Sequence, residues 1–169
     1  VVSFFTVDIG GISIGGKSLR TLAEDRASKF LERPMRIGRI SGYITPGRFS
    51  FDDVVIEGPK PDSRPFFSAK RITVDVPWWT MFRRELSIDI RLTGWRMVVE
   101  NWPDGAHLPR LTPKGPGGGQ FPLKIRNLAV YANDGEFIYD DHTTPWSVIA
   151  RNLRFALVRT NNLNTYVGT

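Results

Sequence analysis

Met35–Gly58, MRIGRISGYITPGRFSFDDVVIEG, is the stretch that decides the fold. Within Thr45-Pro46-Gly47-Arg48, proline presets the negative φ of the first central position and glycine supplies the positive φ of the second, as a type II turn requires. The flanking segments are therefore read as a hairpin. Counting outward places Ile44 opposite Phe49 and Gly42 opposite Phe51, and one bulged residue at Asp52-Asp53 then brings Ile40 opposite Val54 and Gly38 opposite Ile56. One face is a continuous apolar strip, while Arg39, Ser41, Tyr43, Thr45, Arg48 and Ser50 occupy a face that can stand in water.

On the N-terminal side, Ser18–Arg33 is the one convincing helix. Ser18 is its candidate N-cap, Leu19, Leu22, Ala23, Ala27, Phe30 and Leu31 recur at helical spacing, and Pro34 ends it. Arg20, Glu24, Arg26 and Lys29 are expected to look outward. On the C-terminal side the period changes to two. Ile72, Val74 and Val76 alternate with polar residues, and Leu86, Ile88, Ile90 and Leu92 do the same before Thr93-Gly94, which reads as a turn pairing Leu92 with Trp95, Ile90 with Met97 and Ile88 with Val99. Residues 101–120, proline-rich and ending in GPGGG, read as a flexible loop. Strands resume from Phe121 to Ala132, turn at Asn133-Asp134-Gly135, return through Phe137 to Asp140 and, after a polar bend, run again from Trp146 to Val158, with the register left open. The recurring units ITVDV, LSIDIRLTGWRMVVEN, LKIRNLAVYANDGEFIYDD and VIARNLRFALV describe an antiparallel meander.

The chain has 169 residues, enough for one domain, and a net charge of +6 that suits an anionic partner. Its basic residues are spread through the strands, as solvated outer faces would have them. The absence of cysteine removes disulfides, thiolate zinc sites and thiol catalysis. No stretch reaches the ~18 to 20 apolar residues that span a bilayer, although VVSFF at residues 1–5 reads as the trailing end of an anchor.

Three patterns point to chemistry. Gly11 through Gly16, Lys17 and Ser18 match the phosphate-loop pattern G-x-x-x-x-G-K-[ST] between an apolar run and a helix, which would give a nest of amides around phosphates with Lys17 on the terminal phosphates and Ser18 on magnesium. Ile12 and Ile14 are bulky for such a nest, and no repeated strand-helix units follow to build a parallel sheet, so a glycine-rich bend leading to the helix is favoured. Asp52-Asp53 and Asp140-Asp141-His142 suggest acid/base pairs or a metal cluster, but neighbours on a strand face opposite ways, which favours turn and bulge chemistry; His107 falls in the loop. Trp78, Trp79 and Phe82 beside Arg83 and Arg84, with Trp95, suit a nucleic-acid stacking surface, an interfacial belt or core packing, and nucleic acid is not adopted as a partner.

The succession of helix, proline, RIGRISGYITPGRFSFDDVVIEG, an I-x-V strand and L-x-I-x-I-x-L-x-G-W-x-M-x-V resembles the N-terminal region of the AsmA-like superfamily, in particular its TamB-type translocation and assembly modules. It is also similar to the chorein-type start of bridge-like lipid-transfer proteins. The resemblance covers most of residues 19–160. It implies a non-enzymatic bacterial envelope protein, anchored in the inner membrane and facing the periplasm, that needs no cofactor. The implied fold is mainly β with one N-terminal helix, an extended antiparallel meander curled into an open hydrophobic groove. Residues 1–17 would be an anchor tail or linker, 18–34 a capping helix, 35–160 the groove segment and 161–169 a truncated end. Phospholipid acyl chains would lie on Ile40, Phe49, Phe51, Val54, Ile56, Ile72, Val74, Val76, Leu86, Ile88, Ile90, Leu92, Trp95, Met97 and Val99, in transport between the inner and outer membranes. A trough that is apolar inside supports this physically, since each buried methylene contributes about 0.8 kcal/mol. The alternative is a scaffold for outer-membrane protein assembly with an outer-membrane partner, followed by a phosphate-loop nucleotide-binding protein.

Overall fold

Period-two alternation becomes strand from Met35 onward, and the computed structural model describes residues 7–14, 16–43, 47–60, 63–77, 85–106, 108–109, 124–159 and 166–168. The elements are β1 (Val7–Asp8), β2 (Ser13–Ile14), β3 (Lys17–Ser18), α1 (Leu19–Leu31), β4 (Met35–Tyr43), β5 (Arg48–Ile56), β6 (Phe67–Asp75), β7 (Glu85–Trp102), β8 (Gly105–Ala106), β9 (Lys124–Asp141), β10 (Trp146–Arg159) and β11 (Tyr166–Gly168). Ser18, in an extended conformation, starts α1 by accepting the Thr21 amide at 3.1 Å. Glu32 ends it in the left-handed region at φ 55°, two residues before Pro34.

Nine strands form one sheet in the order β1-β4-β5-β6-β7-β9-β10-β11, with β8 folded back on β7, while β2 and β3 form a separate two-stranded ribbon. Mainly β with one helix is therefore right, and the curled antiparallel groove is not. From β4 to β7 the strands are antiparallel neighbours, but β7 and β9 run parallel, from Glu85 beside Lys124 to Asn101 beside Asp141. A parallel pair needs a connection that returns to the starting end. Thr93-Gly94 and Asn133-Asp134-Gly135 consequently lie inside long strands rather than at hairpin turns, and part of the expected 101–120 loop is the β7–β8 hairpin. The sheet is neither closed nor strongly curled.

The opening hairpin exists in a different register. Gly42 pairs with Phe49 and Ile40 with Phe51, a slide of two residues, while Ile37 pairs with Val54 and Met35 with Ile56, a slide of three, because the expected one-residue bulge at Asp52-Asp53 does not shift the register. Gly47 takes the positive φ, 91°, and the connection is longer than a two-residue turn because Tyr43 and Arg48 form the last pair. The space left by Gly42 is occupied by the chain itself: a Cβ there would lie 2.9 Å from Phe49 Cδ1 and 3.4 Å from Ile9 Cδ1.

An apolar-polar-polar-apolar tetrad recurs at one level of five adjacent strands: Ile37-Gly38-Arg39-Ile40, Phe51-Asp52-Asp53-Val54, Ala69-Lys70-Arg71-Ile72, Leu92-Thr93-Gly94-Trp95 and Ala132-Asn133-Asp134-Gly135. Both ends of a tetrad face the core, so each strand spends one extra residue before its alternation resumes. Because neighbouring strands spend it together, the pairing register from β4 through β7 passes the step unchanged. Asp53, Gly94 and Asp134 absorb the step with φ of 52°, 61° and 54°. In β10 the step falls at Ala150–Leu153, with Asn152 at φ 56° and a local shift of pairing. These residues form a seam across the sheet.

The core consists of two adjoining clusters on one face. Ile9, Ile37, Ile40 and Val54 pack with Leu19 and Ala23 of α1 and with Phe49 and Phe51, and Val54 is only 1% exposed. Burying a side chain of that kind contributes on the order of 2 kcal/mol. Phe66, Phe67, Ala69, Trp95 and Ala132 form the second cluster with Ile72, Leu92, Met97 and Leu153. Trp95 lies over Gly135, where a Cβ would fall 2.1 Å from its ring, and meets Phe155 edge-on at 5.7 Å.

Candidate functional site

The two edges of the sheet are treated differently by the chain. Along β4, backbone groups that would otherwise be open are met one by one: Ser28 Oγ accepts the Met35 amide at 2.8 Å, Glu24 Oε1 accepts the Ile37 amide at 2.7 Å, and Arg20 Nη1 donates to the Gly38 carbonyl at 3.1 Å. The Ile40 carbonyl accepts the amides of Ile9 and Gly10, and β1 pairs with Ser41 and Gly42. Arg20, Glu24 and Ser28 are spaced by four, so one face of α1 presents all three to the strand. Arg20 and Glu24, expected to look outward, instead close an edge.

β10 receives no such treatment. Only Leu157, Val158 and Arg159 pair with β11, so Trp146–Ala156 has β9 on one side and no strand on the other among the described residues. Trp146 and Ile149 are each 51% exposed, and Val148 and Phe155 are also exposed. A long strand edge with open backbone groups and exposed apolar side chains is a template for another strand. Sequence reading missed this edge, although its signal was present: Trp146–Arg159 contains Arg151, Arg154 and Arg159 and no acidic residue.

The polar face is organised by ion pairs that cross from strand to strand. Arg48 on β5 meets Asp75 on β6 at 2.5 Å, and Asp75 meets Arg91 on β7 at 2.6 Å. Asp52 meets Arg71 at 2.6 Å. Glu136 on β9 holds both Arg96 on β7 at 2.5 Å and Arg151 on β10 at 3.0 Å, and their guanidinium groups keep its carboxyl below the usual range. Arg64 bridges Glu100 at 2.8 Å and Asp140, which raises its own pKa. Such exposed pairs add little stability but fix which charge stands where. An open hollow of about 390 Å³ along the seam is bordered by Asp53, Lys70, Arg96, Asp134 and Glu136, a mixed set that favours neither ligand charge.

Of the strip residues, the register brings Ile40, Phe51, Ile72 and Leu92 into one row, Phe49, Val74 and Ile90 into a second, and Ile56 and Met97 into a third through Phe67; Val54 and Trp95 meet through Ala69. Leu86, Ile88 and Val99 continue the strand pattern along β7, and the Val76 amide reaches the Gly47 carbonyl just beyond β6. Shared facing does not make a trough. With the sheet uncurled and its most buried rows packed against α1 and one another, the lipid conduit and its acyl-chain partners are set aside, and no observation supports the outer-membrane assembly alternative.

The phosphate-loop reading is overturned by hydrogen bonding. The amides at the start of α1 are taken by the chain itself, Leu19 by the Ile12 carbonyl at 2.7 Å, Arg20 by the Gly10 carbonyl at 3.2 Å and Thr21 by Ser18 Oγ. Lys17 pairs with Asp25 at 2.6 Å, while Gly11 and Gly16 are the bends of the β2–β3 ribbon and its approach. Among the described residues no group of acidic or histidine side chains could hold a metal. Asp52 and Asp53 serve the ion-pair face and the seam, and Asp141 accepts from Thr143 and Thr144 in the turn before β10. Trp78, Trp79, Phe82, Arg83, Arg84 and His107 lie outside the described residues.

The expected inner-membrane anchoring, and the envelope location and membrane partner inferred with it, also require correction. The helix α1 has 13 residues, and among the described residues no helix is long and apolar enough to cross a membrane. Compared with known proteins, the chain matches no family model and no curated protein.

Proposed function

We propose that this chain is a non-catalytic binding module that accepts an extended polypeptide segment as an added strand along β10. The observation that carries this reading is the asymmetry of the two edges: α1 closes β4 with three side-chain hydrogen bonds, whereas Trp146–Ala156 has no strand on its outer side among the described residues and is flanked by exposed apolar residues. Each main-chain hydrogen bond gained by an incoming strand contributes ~0.5 to 1.5 kcal/mol net, and the alternate side chains add specificity. The ion-paired polar face gives the sheet a fixed frame from which to present that edge. Kinship with the AsmA-like superfamily is a separate proposal that rests on the residue pattern of 19–160 alone and assigns no activity.

Amide hydrogen exchange tests the reading directly. Eight-residue extended peptides, N-methylated along one edge so that they cannot stack on themselves, are added to the full chain. Slowed exchange confined to residues 146–156 is expected. Unchanged exchange there with every peptide, or slowing along β4 instead, would show that β10 is not an accepting edge.

A further inference from the structure

We infer that the segment accepted by β10 is acidic as well as apolar, an extended polypeptide in which Asp or Glu alternates with apolar residues. This inference rests on the strand-accepting reading above and adds the chemistry of the guest. Two rows of the polar face alternate in sign from one strand to the next: Arg48, Asp75 and Arg91 run from β5 to β7, and Arg96, Glu136 and Arg151 run from β7 to β10. The second row stops on a cation at the open edge. The next position in that row calls for a carboxylate, since opposite charges across a strand pair stabilise and like charges destabilise.

A second cation strengthens the demand. Leu153 packs in the core cluster and Phe155 meets Trp95, so Arg154 between them projects from the polar face, where it has no ion pair among the described residues. β10 offers no carboxylate of its own to either arginine. The same charge pattern argues against a second copy of this chain as occupant. Antiparallel pairing of Trp146–Ala156 with itself about its midpoint would set Arg151 of one copy directly against Arg151 of the other. On the core-facing side, the exposed Val148 and Phe155 ask for apolar neighbours. The seam adds a constraint on spacing, because a guest that runs past Ala150–Leu153 stays in phase only if it carries two consecutive polar residues there.

The peptide Val-Glu-Val-Glu-Glu-Val-Glu-Val, N-methylated along one edge, meets these requirements, and its Gln and Lys counterparts keep the shape while changing the charge. Fluorescence anisotropy with the full chain is expected to give binding at least tenfold tighter for the Glu peptide than for the Gln peptide, with the Lys peptide weakest. Hydrogen exchange should slow at 146–156. Arg154→Glu, an exposed change, should abolish the preference for Glu while leaving the thermal melt of the chain in place. Equal binding of the Glu and Gln peptides, or tighter binding of Lys, with protection still at 146–156, would overturn the acidic guest and leave the accepting edge standing. Protection at 146–156 without any peptide, together with a dimer in sedimentation, would overturn it in favour of a second copy. No protection by any peptide would remove both readings.

Discussion

Asp141 shows how much local geometry one carboxylate can hold. It accepts from the Thr143 hydroxyl, from the Thr144 amide at 3.1 Å and from the Thr143 amide at 2.8 Å, and these donors lower its pKa from 3.8 to about 2. A depressed carboxylate stabilises the fold fully above its unfolded pKa, so the contribution of Asp141 is complete above 3.8 and is lost as the pH falls toward about 2. The turn it shapes delivers the chain into Trp146, the first residue of β10. Carbon-13 NMR of the folded chain should show the Asp141 carboxyl titrating near 2, and Thr143→Val should move the midpoint up toward 3.8. A midpoint already at 3.8 in the parent chain would contradict the hydrogen bonds assigned to it. Residue chemistry of this kind was partly legible: Asp140-Asp141 read as turn chemistry, and Asp141 shapes the turn before β10 because side-chain acceptors beside backbone amides act within a few residues, whereas the one-residue bulge expected at Asp52-Asp53 is absent from the β4–β5 register.

At the scale of elements, α1 was legible as a helix and misread as a face. Ser18, the apolar spacing and Pro34 act within the segment, so its limits could be found from the sequence alone. The role of Arg20, Glu24 and Ser28 depends on the β4 backbone alongside, and a polar stripe spaced by four looks the same whether it meets water or a strand edge. Glu24→Ala should leave the Ile37 amide without its carboxylate and cost about 1 to 3 kcal/mol in urea unfolding. Faster hydrogen exchange at Ile37 than at Ile40 should accompany the loss. An unaltered Ile37 exchange rate would mean that Glu24 does not guard the edge. The strands were recognised by alternation, but Thr93-Gly94 and Asn133-Asp134-Gly135 have the composition of turns as well as of the bulged steps they form. Only pairing between distant strands decides between the two, and the parallel β7–β9 pair joins residues about forty positions apart.

For the molecule as a whole, the seam had a signal that local reading divides into separate events. IGRI, FDDV, AKRI, LTGW and ANDG are one pattern once the strands are set side by side. Its collective nature predicts an unequal response to two changes at one position. Lys70→Ala removes an exposed side chain and should change stability by roughly 0.5 kcal/mol or less. Deleting Lys70 shortens the step in β6 alone and turns either Phe67 and Ala69 or Ile72 and Val74 away from the core. Circular dichroism should then show loss of the cooperative melt. A deletion variant that melts like the parent would mean that the strands do not depend on one another at the seam.

The closed β4 edge also limits how copies of this chain can join through their sheets. Open filaments arise when one surface of a subunit fits a different surface of the next and the contact repeats without closing. Joining β10 of one copy to β4 of another would be such a contact, but the β4 backbone is already engaged by α1, Ile9, Gly10 and β1. Edge-to-edge growth through these strands therefore ends after a single addition. The helix makes the sheet a terminus in one direction, so that an exposed, apolar strand can remain open on the opposite side without making the chain a link in a fibre.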